Sequence, residues 1–301
     1  MTTSPKKISK TLNLDLGELI DDDCKDFPLL VPESFLFRIK PNDKKDPLLL
    51  QILPTKHENK NVSGFNKDPL EERKSSPLPG LIHKYHGRVL LLVTDQCAIN
   101  CRFCFRRHAR EKVSNWQKVF SYIKNDNSID EVILSGGDPL MLPPKKLKEM
   151  LGKLSSINHV KRIRVHSRMP IVMPERVDAK LLRAKKPVVL VVHCNHPNEI
   201  NNEVAKKLKL FRKYNIPVFN QSVLLKNIND SASILVDLSE KLFAVGVVPS
   251  YLHTLDKVKG AAHFYVNLEE AKKIYGKMQK RLSGYLVPKL VIEIENRKKY
   301  V

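Results

Sequence analysis

The stretch RVLLLVTDQCAINCRFCFRR, residues 88–107, combines an apolar run with a dense group of cysteines. Val89 to Val93 are uninterrupted apolar residues, as expected of a strand buried on both faces of a sheet. Three thiolates are one ligand short of a tetrahedral single-metal site, but they suit a [4Fe–4S] cluster whose fourth iron stays open. The stretch therefore predicts a strand followed by a cluster-binding loop. Three of the five cysteines lie in it with the spacing C-x3-C-x2-C, namely Cys97, Cys101 and Cys104.

Other interpretations of these cysteines are open at this stage. A structural zinc site would need a fourth ligand, which His108 or Cys194 could supply. A disulfide framework is disfavoured because the spacings are short and the N-terminus, MTTSPKKISK, lacks the apolar core of a secretion signal. Buried, unreactive thiols would not need this spacing behind a strand. The pattern favours the iron–sulfur cluster.

After the cysteines, strand-like and helix-like segments alternate. Six strands alternating with helices predict a parallel α/β sheet with right-handed crossovers. Periodicity alone leaves open whether the sheet is doubly wound or curves into a partial barrel. Ser114, Asp230 and Asn267 are the predicted N-caps of three helices. The candidate strands are Val89–Val93, Glu131–Leu134, Arg162–Val165, Val188–His193, Val218–Val223 and Val247–Leu252.

Polar residues gather where these candidate strands end. Barrel enzymes carry their chemistry at the carboxyl ends of the strands, so the pattern predicts one active site at that edge. The polar groups are Asp95 to Cys104, Ser135 to Asp138, His166 to Arg168, His193, Asn220 to Ser222 and His253 to Asp256.

Composition divides the chain into three regions. Residues 1–83 carry no metal motif and contain prolines and a polar stretch, which predicts a preface of short helices and loops. Residues 84–260 hold the alternating pattern and are predicted to form the barrel. Residues 261–301 are predicted to form a C-terminal helix and an extended closing segment, YLVPKLVIEI at 285–294.

The chain is strongly basic, with 53 Lys and Arg against 32 Asp and Glu and a formal net charge of +21. The lysines recur along helix-like segments such as KKLKEMLGKL, and Trp116 is the one tryptophan, so solvated helix faces are favoured over a nucleic-acid surface. An acidic protein partner also fits the charge. No run approaches the roughly 18 apolar residues of a membrane span. An oxygen-sensitive cluster needs reducing conditions, so we expect a cytoplasmic protein.

The cysteine spacing, with Phe103 before the last cysteine, is the signature of radical S-adenosylmethionine (SAM) enzymes. The longer segment YHGRVLLLVTDQCAINCRFCFRRH, residues 85–108, resembles the lysine 2,3-aminomutase family, especially the short branch that makes β-lysine for elongation factor P. This resemblance implies a (β/α)6 partial TIM barrel. It also implies an isomerase that moves the amino group of L-lysine from carbon 2 to carbon 3. The implied cofactors are a [4Fe–4S] cluster, SAM and pyridoxal 5′-phosphate (PLP). A flavodoxin- or ferredoxin-like reductant is an implied partner. Whether the protein forms a homo-oligomer is left open.

The resemblance implies roles for residues near the strand ends. Cys97, Cys101 and Cys104 would bind the cluster. A plain β-turn is the alternative for the Ser-Gly-Gly-Asp turn, but glycines there let the backbone approach a ligand closely. The residues implied for SAM are Ser135, Gly136, Gly137, Asp138 and His193.

For the PLP phosphate the resemblance implies Lys84, Tyr85, Arg88 and Gln221. Lys84 replaces an arginine of the long branch, so a point charge stands where that branch has a guanidinium fork.

The PLP-carrying lysine is where this chain departs from the family. In the family this aldimine lysine lies in a GxPSKTP-like or GGGGKTP-like segment, but the tail here reads ENRKKYV, residues 295–301. One deletion aligns Lys299 with it, and two deletions align Lys298. A basic surface tail is the alternative, and loss of the lysine would weaken PLP retention.

For the substrate, the resemblance implies that Arg106 binds the carboxylate of lysine and that Asp256 and Glu293 bind its side-chain ammonium. A helix cap for Asp256 and a solvated strand position for Glu293 are the alternatives. The runs HCNHPNEI at 193–200 and FNQSVLL at 219–225 also match the family closely.

Two other functions are open. A degenerate family member would keep the cluster and SAM but have lost or altered its PLP chemistry, as the changed tail suggests. A basic RNA- or ribosome-associated protein stabilised by a metal would be colourless and contain zinc, whereas an iron–sulfur protein is brown.

Overall fold

The computed structural model describes residues 1–17, 20, 26–109, 111–294 and 297–300, and for 294 and 297–299 it describes the backbone alone. The strands are β1 (Leu81–Tyr85), β2 (Arg88–Thr94), β3 (Glu131–Gly136), β4 (Arg162–Ser167), β5 (Val188–His193), β6 (Val218–Val223), β7 (Val247–His253), β8 (Lys289–Ile294) and β9 (Arg297–Tyr300). They form one sheet in which the spatial order is the chain order. Strands β2 to β8 run parallel, and β1 and β9 are antiparallel edge strands.

The six predicted strands are β2 to β7, each within two residues of its predicted bounds. The parallel α/β prediction is therefore confirmed. Strand β8, from the predicted closing segment, pairs with β7 and adds a seventh parallel strand among the described residues.

Helices occupy the connections between the parallel strands. A helix lies in the connection after each of β2 to β7. The helices are α1 (Pro5–Leu12), α2 (Glu33–Leu36), α3 (Pro47–Leu50), α4 (Trp116–Asn125), α5 (Pro144–Ser155), α6 (Met169–Val172), α7 (Asn202–Lys213), α8 (Ala232–Ala244) and α9 (Leu268–Gln279).

The predicted helix starts are confirmed at α9 and wrong by one residue at α4 and α8. Asn267 caps α9 and accepts from the Glu270 N–H at 2.9 Å. Asn115 rather than Ser114 caps α4, and Ser231 rather than Asp230 caps α8. In both cases two cap-forming residues are adjacent, and packing of the first helical turn selects the one whose side chain reaches the free N–H.

A row of apolar residues in register across β2 to β7 anchors the core. All six are at most 3% exposed and belong to one hydrophobic cluster with residues of the surrounding helices. A shift of one residue would turn the whole row to the other face, so the row holds the strand ends at a common edge. The row is Leu91, Leu134, Val165, Leu190, Val218 and Val247.

The N-terminal region packs on the barrel. Ile8, Phe35 and Leu49 are fully buried in the same hydrophobic cluster as the row. The boundaries at residues 83 and 260 stay a prediction. In the described part of the chain, no helix is long and apolar enough to span a membrane.

Candidate active site

The three motif cysteines lie in the loop after β2 and are each half-buried. The Cys104 N–H donates to the Cys101 carbonyl at 3.0 Å, so the loop turns sharply between them. Burial and the neighbouring Cys101 raise the pKa of the Cys104 thiol to about 11. That thiol therefore needs a bound cation to ionise near neutral pH. Among the described cysteines, none forms a disulfide, so the disulfide interpretation is wrong for them.

The donor chemistry of the three thiols fits a multi-iron cluster. Across the described residues, no three His, Cys, Asp or Glu side chains meet as a site for one metal ion. The two suggested zinc ligands have other contacts: His108 Nε2 lies 2.9 Å from the Lys259 carbonyl, and the buried Cys194 thiol donates to the His196 carbonyl. In a cluster each cysteine binds a different iron, so three thiols along one loop match it.

The Gly136–Gly137 turn after β3 packs directly on the backbone that leads into the cysteine loop. Gly136 has a φ of +107°, and a Cβ there would lie 2.7 Å from the Thr94 oxygen. A Cβ on Gly137 would lie 2.2 Å from the Gln96 oxygen. The Gly137 N–H donates to the Thr94 carbonyl at 2.7 Å. The glycines therefore join the predicted SAM turn and the cluster loop into one unit.

Asp138 links the ends of β3 and β4. Its carboxylate accepts from Ser167 Oγ at 2.7 Å and from the N–H groups of Arg168, Met169 and Leu140 at 2.8, 2.9 and 3.0 Å. Burial raises the pKa of Asp138 despite these donors. Direct contact of Asp138 with SAM stays a prediction. The same is true of the buried Ser135.

His193 offers an unsatisfied polar atom at the end of β5. Its ring stacks on Phe103 with a centroid distance of 5.5 Å and an interplanar angle of 21°. Burial and then the nearby Arg168 lower the pKa of His193 to about 3, so the ring is neutral. Its buried Nε2 has no hydrogen-bond partner among the described residues. Such an atom fits a polar group of a bound ligand, which supports the SAM assignment.

The residues predicted for the PLP phosphate place two cations beside a phenol. The Arg88 guanidinium lies 4.6 Å and Lys84 Nζ lies 5.6 Å from the centre of the Tyr85 ring. Gln221 lies on β6, paired in the ladder with His193. Cationic and polar donors of this kind fit a phosphate.

The predicted substrate residues lie close to one another and to Lys84. Lys84 Nζ and Tyr85 OH both contact Glu293 Oε1, the phenol at 2.9 Å. Arg106 uses Nε and Nη2 to bind the carboxylate of Glu72. Burial, and then the carboxylates of Glu293 and Glu72, raise the pKa of Asp256 to about 7, although Arg106 and Lys84 oppose the shift. Three carboxylates and two cations therefore lie within electrostatic reach of one another, and we call this group the charge cluster: Glu72, Asp256, Glu293, Lys84 and Arg106.

Known proteins match this chain in sequence. The Radical SAM superfamily model matches residues 91–238. A protein of Buchnera aphidicola named L-lysine 2,3-aminomutase is 46% identical over 97% of this chain and 89% of its own length. Its Escherichia coli counterpart of the same name is 44% identical over 98% and 89%. The chain belongs to the lysine 2,3-aminomutase family. Membership in this radical SAM family implies a [4Fe–4S] cluster and SAM.

Two solved structures share the fold. A radical SAM methyltransferase from Sphaerobacter thermophilus has a TM-score of 0.52 at 16% identity, covering 70% of this chain and 68% of that one. SuiB of Streptococcus suis, bound to SAM, has a TM-score of 0.51 at 14% identity, covering 70% and 51%. At such identities only the fold is comparable, and it confirms the partial barrel of radical SAM type.

The two candidate PLP lysines are Lys298 and Lys299. For both, the structure describes the backbone but not the side chain. The backbone register of β9 pairs Lys298 with Glu293 and Lys299 with Ile292.

Several charged or polar residues near the site carry no local sequence signal. The sequence marks Arg168 only as a polar residue at the end of a predicted strand. Glu58, Glu72 and Gln51 lie in the N-terminal region, where no motif marks them. Each of these residues is recognisable only from a partner far away in the chain. The same holds for Glu199, whose partner Arg168 lies 31 positions earlier.

Proposed function

We propose that this protein is an L-lysine 2,3-aminomutase of the short type, which isomerises L-lysine to β-lysine. The observation that carries the proposal is Arg106. It lies two residues after Cys104 in the cluster loop and interacts electrostatically with Asp256. Arg106 therefore links the cluster loop to the residues predicted to bind the substrate. The names of the relatives support the same reaction.

The charged residues around Asp256 suit a dibasic amino acid. The Nε and Nη2 edge of Arg106 binds Glu72. Its Nη1 makes no hydrogen bond to the described residues, so Nη1 suits the carboxylate of lysine. Asp256 and Glu293 suit the side-chain ammonium, since neighbouring carboxylates attract a cation strongly.

The remaining residues would hold the cofactors. Cys97, Cys101 and Cys104 bind the cluster, and the Ser135–Asp138 turn and His193 bind SAM. Lys84, Tyr85, Arg88 and Gln221 bind the PLP phosphate. When bound, the cluster with SAM supplies a radical initiator, and PLP supplies a π-system for the migrating nitrogen. The nitrogen moves from carbon 2 to carbon 3 and a hydrogen moves the opposite way, so no net oxidation occurs.

We also propose that β-lysine from this protein is attached to elongation factor P by a separate ligase-like enzyme. A flavodoxin- or ferredoxin-like protein would supply the electron in the cytoplasm. This part rests on the resemblance to the short branch.

The test is anaerobic reconstitution with iron, sulfide and PLP, followed by SAM, a reductant and lysine labelled with ¹⁵N at carbon 2. The expected product is β-lysine with the label on carbon 3, detected by mass spectrometry and NMR. Cys101→Ala should abolish it. Ornithine and arginine, supplied separately, show whether another basic amino acid is preferred. A fully loaded protein without product would instead support a degenerate family member, and a colourless zinc protein would contradict the radical chemistry.

A further inference from the structure

Arg168, the residue directly after β4, is 7% exposed, and its guanidinium makes three polar contacts. Its Nη1 donates to Sγ of Cys101. Its Nη2 donates to Oε1 of Gln51 at 2.6 Å and to Oε2 of Glu199 at 2.9 Å. The guanidinium also lies 5.4 Å from the ring centre of Phe103. A charged donor is therefore directed at one of the three cluster cysteines.

Glu199 keeps Arg168 charged and in one orientation. Its Oε1 accepts from the N–H groups of Asn195 at 2.8 Å and His196 at 3.0 Å, so the carboxylate cannot turn away. Burial is the largest single influence and favours the neutral acid, but the charge and hydrogen bond of Arg168, together with the Asn195 N–H, hold the pKa of Glu199 below its usual range. The ion pair therefore persists at neutral pH.

Gln51 ties the same arginine to the cluster loop. Its carbonyl accepts from the Arg102 N–H at 2.9 Å, within the segment between Cys101 and Cys104. Its side chain is fully buried and accepts from Arg168. One residue of the N-terminal region therefore supports both the loop and the donor that faces it.

We propose that Arg168 is a positioning residue for the cluster: it donates a charged hydrogen bond to the Cys101 sulfur and raises the reduction potential of the cluster. Gln51 and Glu199 support it. The inference rests on the proposed function only for the presence of the cluster. Reduction adds one electron from an external reductant, and no bond to Arg168 forms or breaks. The added negative charge spreads onto the cysteine sulfurs, so the donor stabilises the reduced state more than the oxidised one.

The test is an EPR-monitored redox titration of the reconstituted full chain. Arg168→Met removes the charge and the donors at similar length. The double variant Arg168→Met/Glu199→Gln also removes the carboxylate that would be left unpaired, so it should fold even where the single variant does not. Arg162→Met is the matched control, because Arg162 lies on the same strand with its side chain 44% exposed and pairs with Asp130 and Glu131.

For the iron-loaded Arg168 variants we expect the ratio of reduced to oxidised cluster at a fixed potential to fall about tenfold, a shift of about 59 mV to more negative potential for a one-electron couple. Arg168→Lys, which keeps a donor, should recover part of the shift, and Arg162→Met should leave the potential unchanged. An unchanged or more positive potential in an iron-loaded Arg168 variant would overturn the proposal. Failure of the proposed function would appear separately, as an absent cluster signal or absent β-lysine in the unmodified protein.

Discussion

Lys84 on β1 and Glu293 on β8 form an ion pair between two strands that share no backbone hydrogen bonds. Both side chains are nearly buried, and Tyr85 OH donates to the same Glu293 oxygen at 2.9 Å. A partial barrel leaves its edge strands β1 and β9 unpaired with each other, and here side chains connect β1 to β8, the neighbour of β9. Residues that the family resemblance assigns to the PLP phosphate therefore touch a residue that it assigns to lysine.

The pH dependence of lysine binding should report Asp256. Its pKa is raised to about 7, so the group is neutral at lower pH and a carboxylate at higher pH. Because we propose that the carboxylate form of Asp256 binds the ammonium of lysine, KM for lysine should fall several-fold between about pH 6 and about pH 8. Steady-state assays across this range check it. Asp256→Asn should raise KM and remove the pH dependence, whereas Asp237→Asn, an exposed change on α8, should do neither.

Asp256 should also lower stability at high pH. Its pKa in the folded protein lies above the ordinary value of 3.8, so the folded state binds the proton more tightly and stability falls as pH rises from about 4 to about 7. Asp256→Asn removes this cost, and the free energy of unfolding at pH 8 should increase by about 1–3 kcal/mol. Urea denaturation at pH 5 and pH 8 tests this. An equal effect at both pH values would contradict the assignment.

The register of β9 distinguishes the two candidate PLP lysines. Residues paired across an antiparallel ladder share a face of the sheet. Lys298 therefore shares the face of Glu293, and Lys299 shares the face of Ile292. We expect borohydride reduction with PLP to label residue 298, and Lys298→Ala but not Lys299→Ala to abolish the label. Peptide mapping by mass spectrometry is the measurement. A pyridoxyl group on residue 299 would reverse the assignment, and no label would mean that the anchor is lost.

Gly137→Ala should separate the turn predicted to bind SAM from the loop that carries the three cysteines. The added Cβ would lie 2.2 Å from the Gln96 oxygen, and neither backbone can move freely. We expect a loss of about 1–3 kcal/mol in the free energy of unfolding and lower iron content after reconstitution. Gly152→Ala in α5 is the matched control, since nothing lies within 4 Å of its Cβ. It should instead gain about 0.5–1 kcal/mol from helix propensity. Equal iron content in both variants would argue against the joined turn and loop.

Glu58 is expected to be the most sensitive carboxylate of the N-terminal region. It is 4% exposed and accepts from both Arg102 and Arg107, which are themselves buried in the cluster loop. Glu58→Gln leaves two buried cations without a carboxylate and should cost about 3–5 kcal/mol in unfolding free energy. Chemical denaturation measures it. Glu71→Gln, which breaks an exposed pair with Lys74, should cost well under about 1 kcal/mol.

Sequence reasoning recovered the parts of the fold that short windows encode. The strands β2 to β7 are runs of apolar residues, and burial on both faces makes such runs visible without knowledge of their neighbours. The first residues of the helices are less well defined by the sequence than the strands are. Ser114 and Asn115 are both suitable caps, and only the packing of α4 selects between them.

Some residues of the candidate site are also recognisable from a short window of sequence, and others are not. Cys97, Cys101 and Cys104 lie within eight residues, so their spacing alone indicates a cluster. The substrate residues came from resemblance to a family, because isolated acidic and basic residues carry no local signal. Glu72 was missed for this reason, although it binds Arg106 from 34 positions away.

Taken by itself, the sequence determined the strand pattern, the cysteine loop and the family. These depend on periodicity and spacing, which are properties of neighbouring residues. The tertiary structure alone decided which charges meet. Arg102 and Glu58 are 44 positions apart, and Lys84 and Glu293 are 209 apart. Their contacts exist because buried charges must find partners wherever the fold brings them together, and no local pattern encodes that choice.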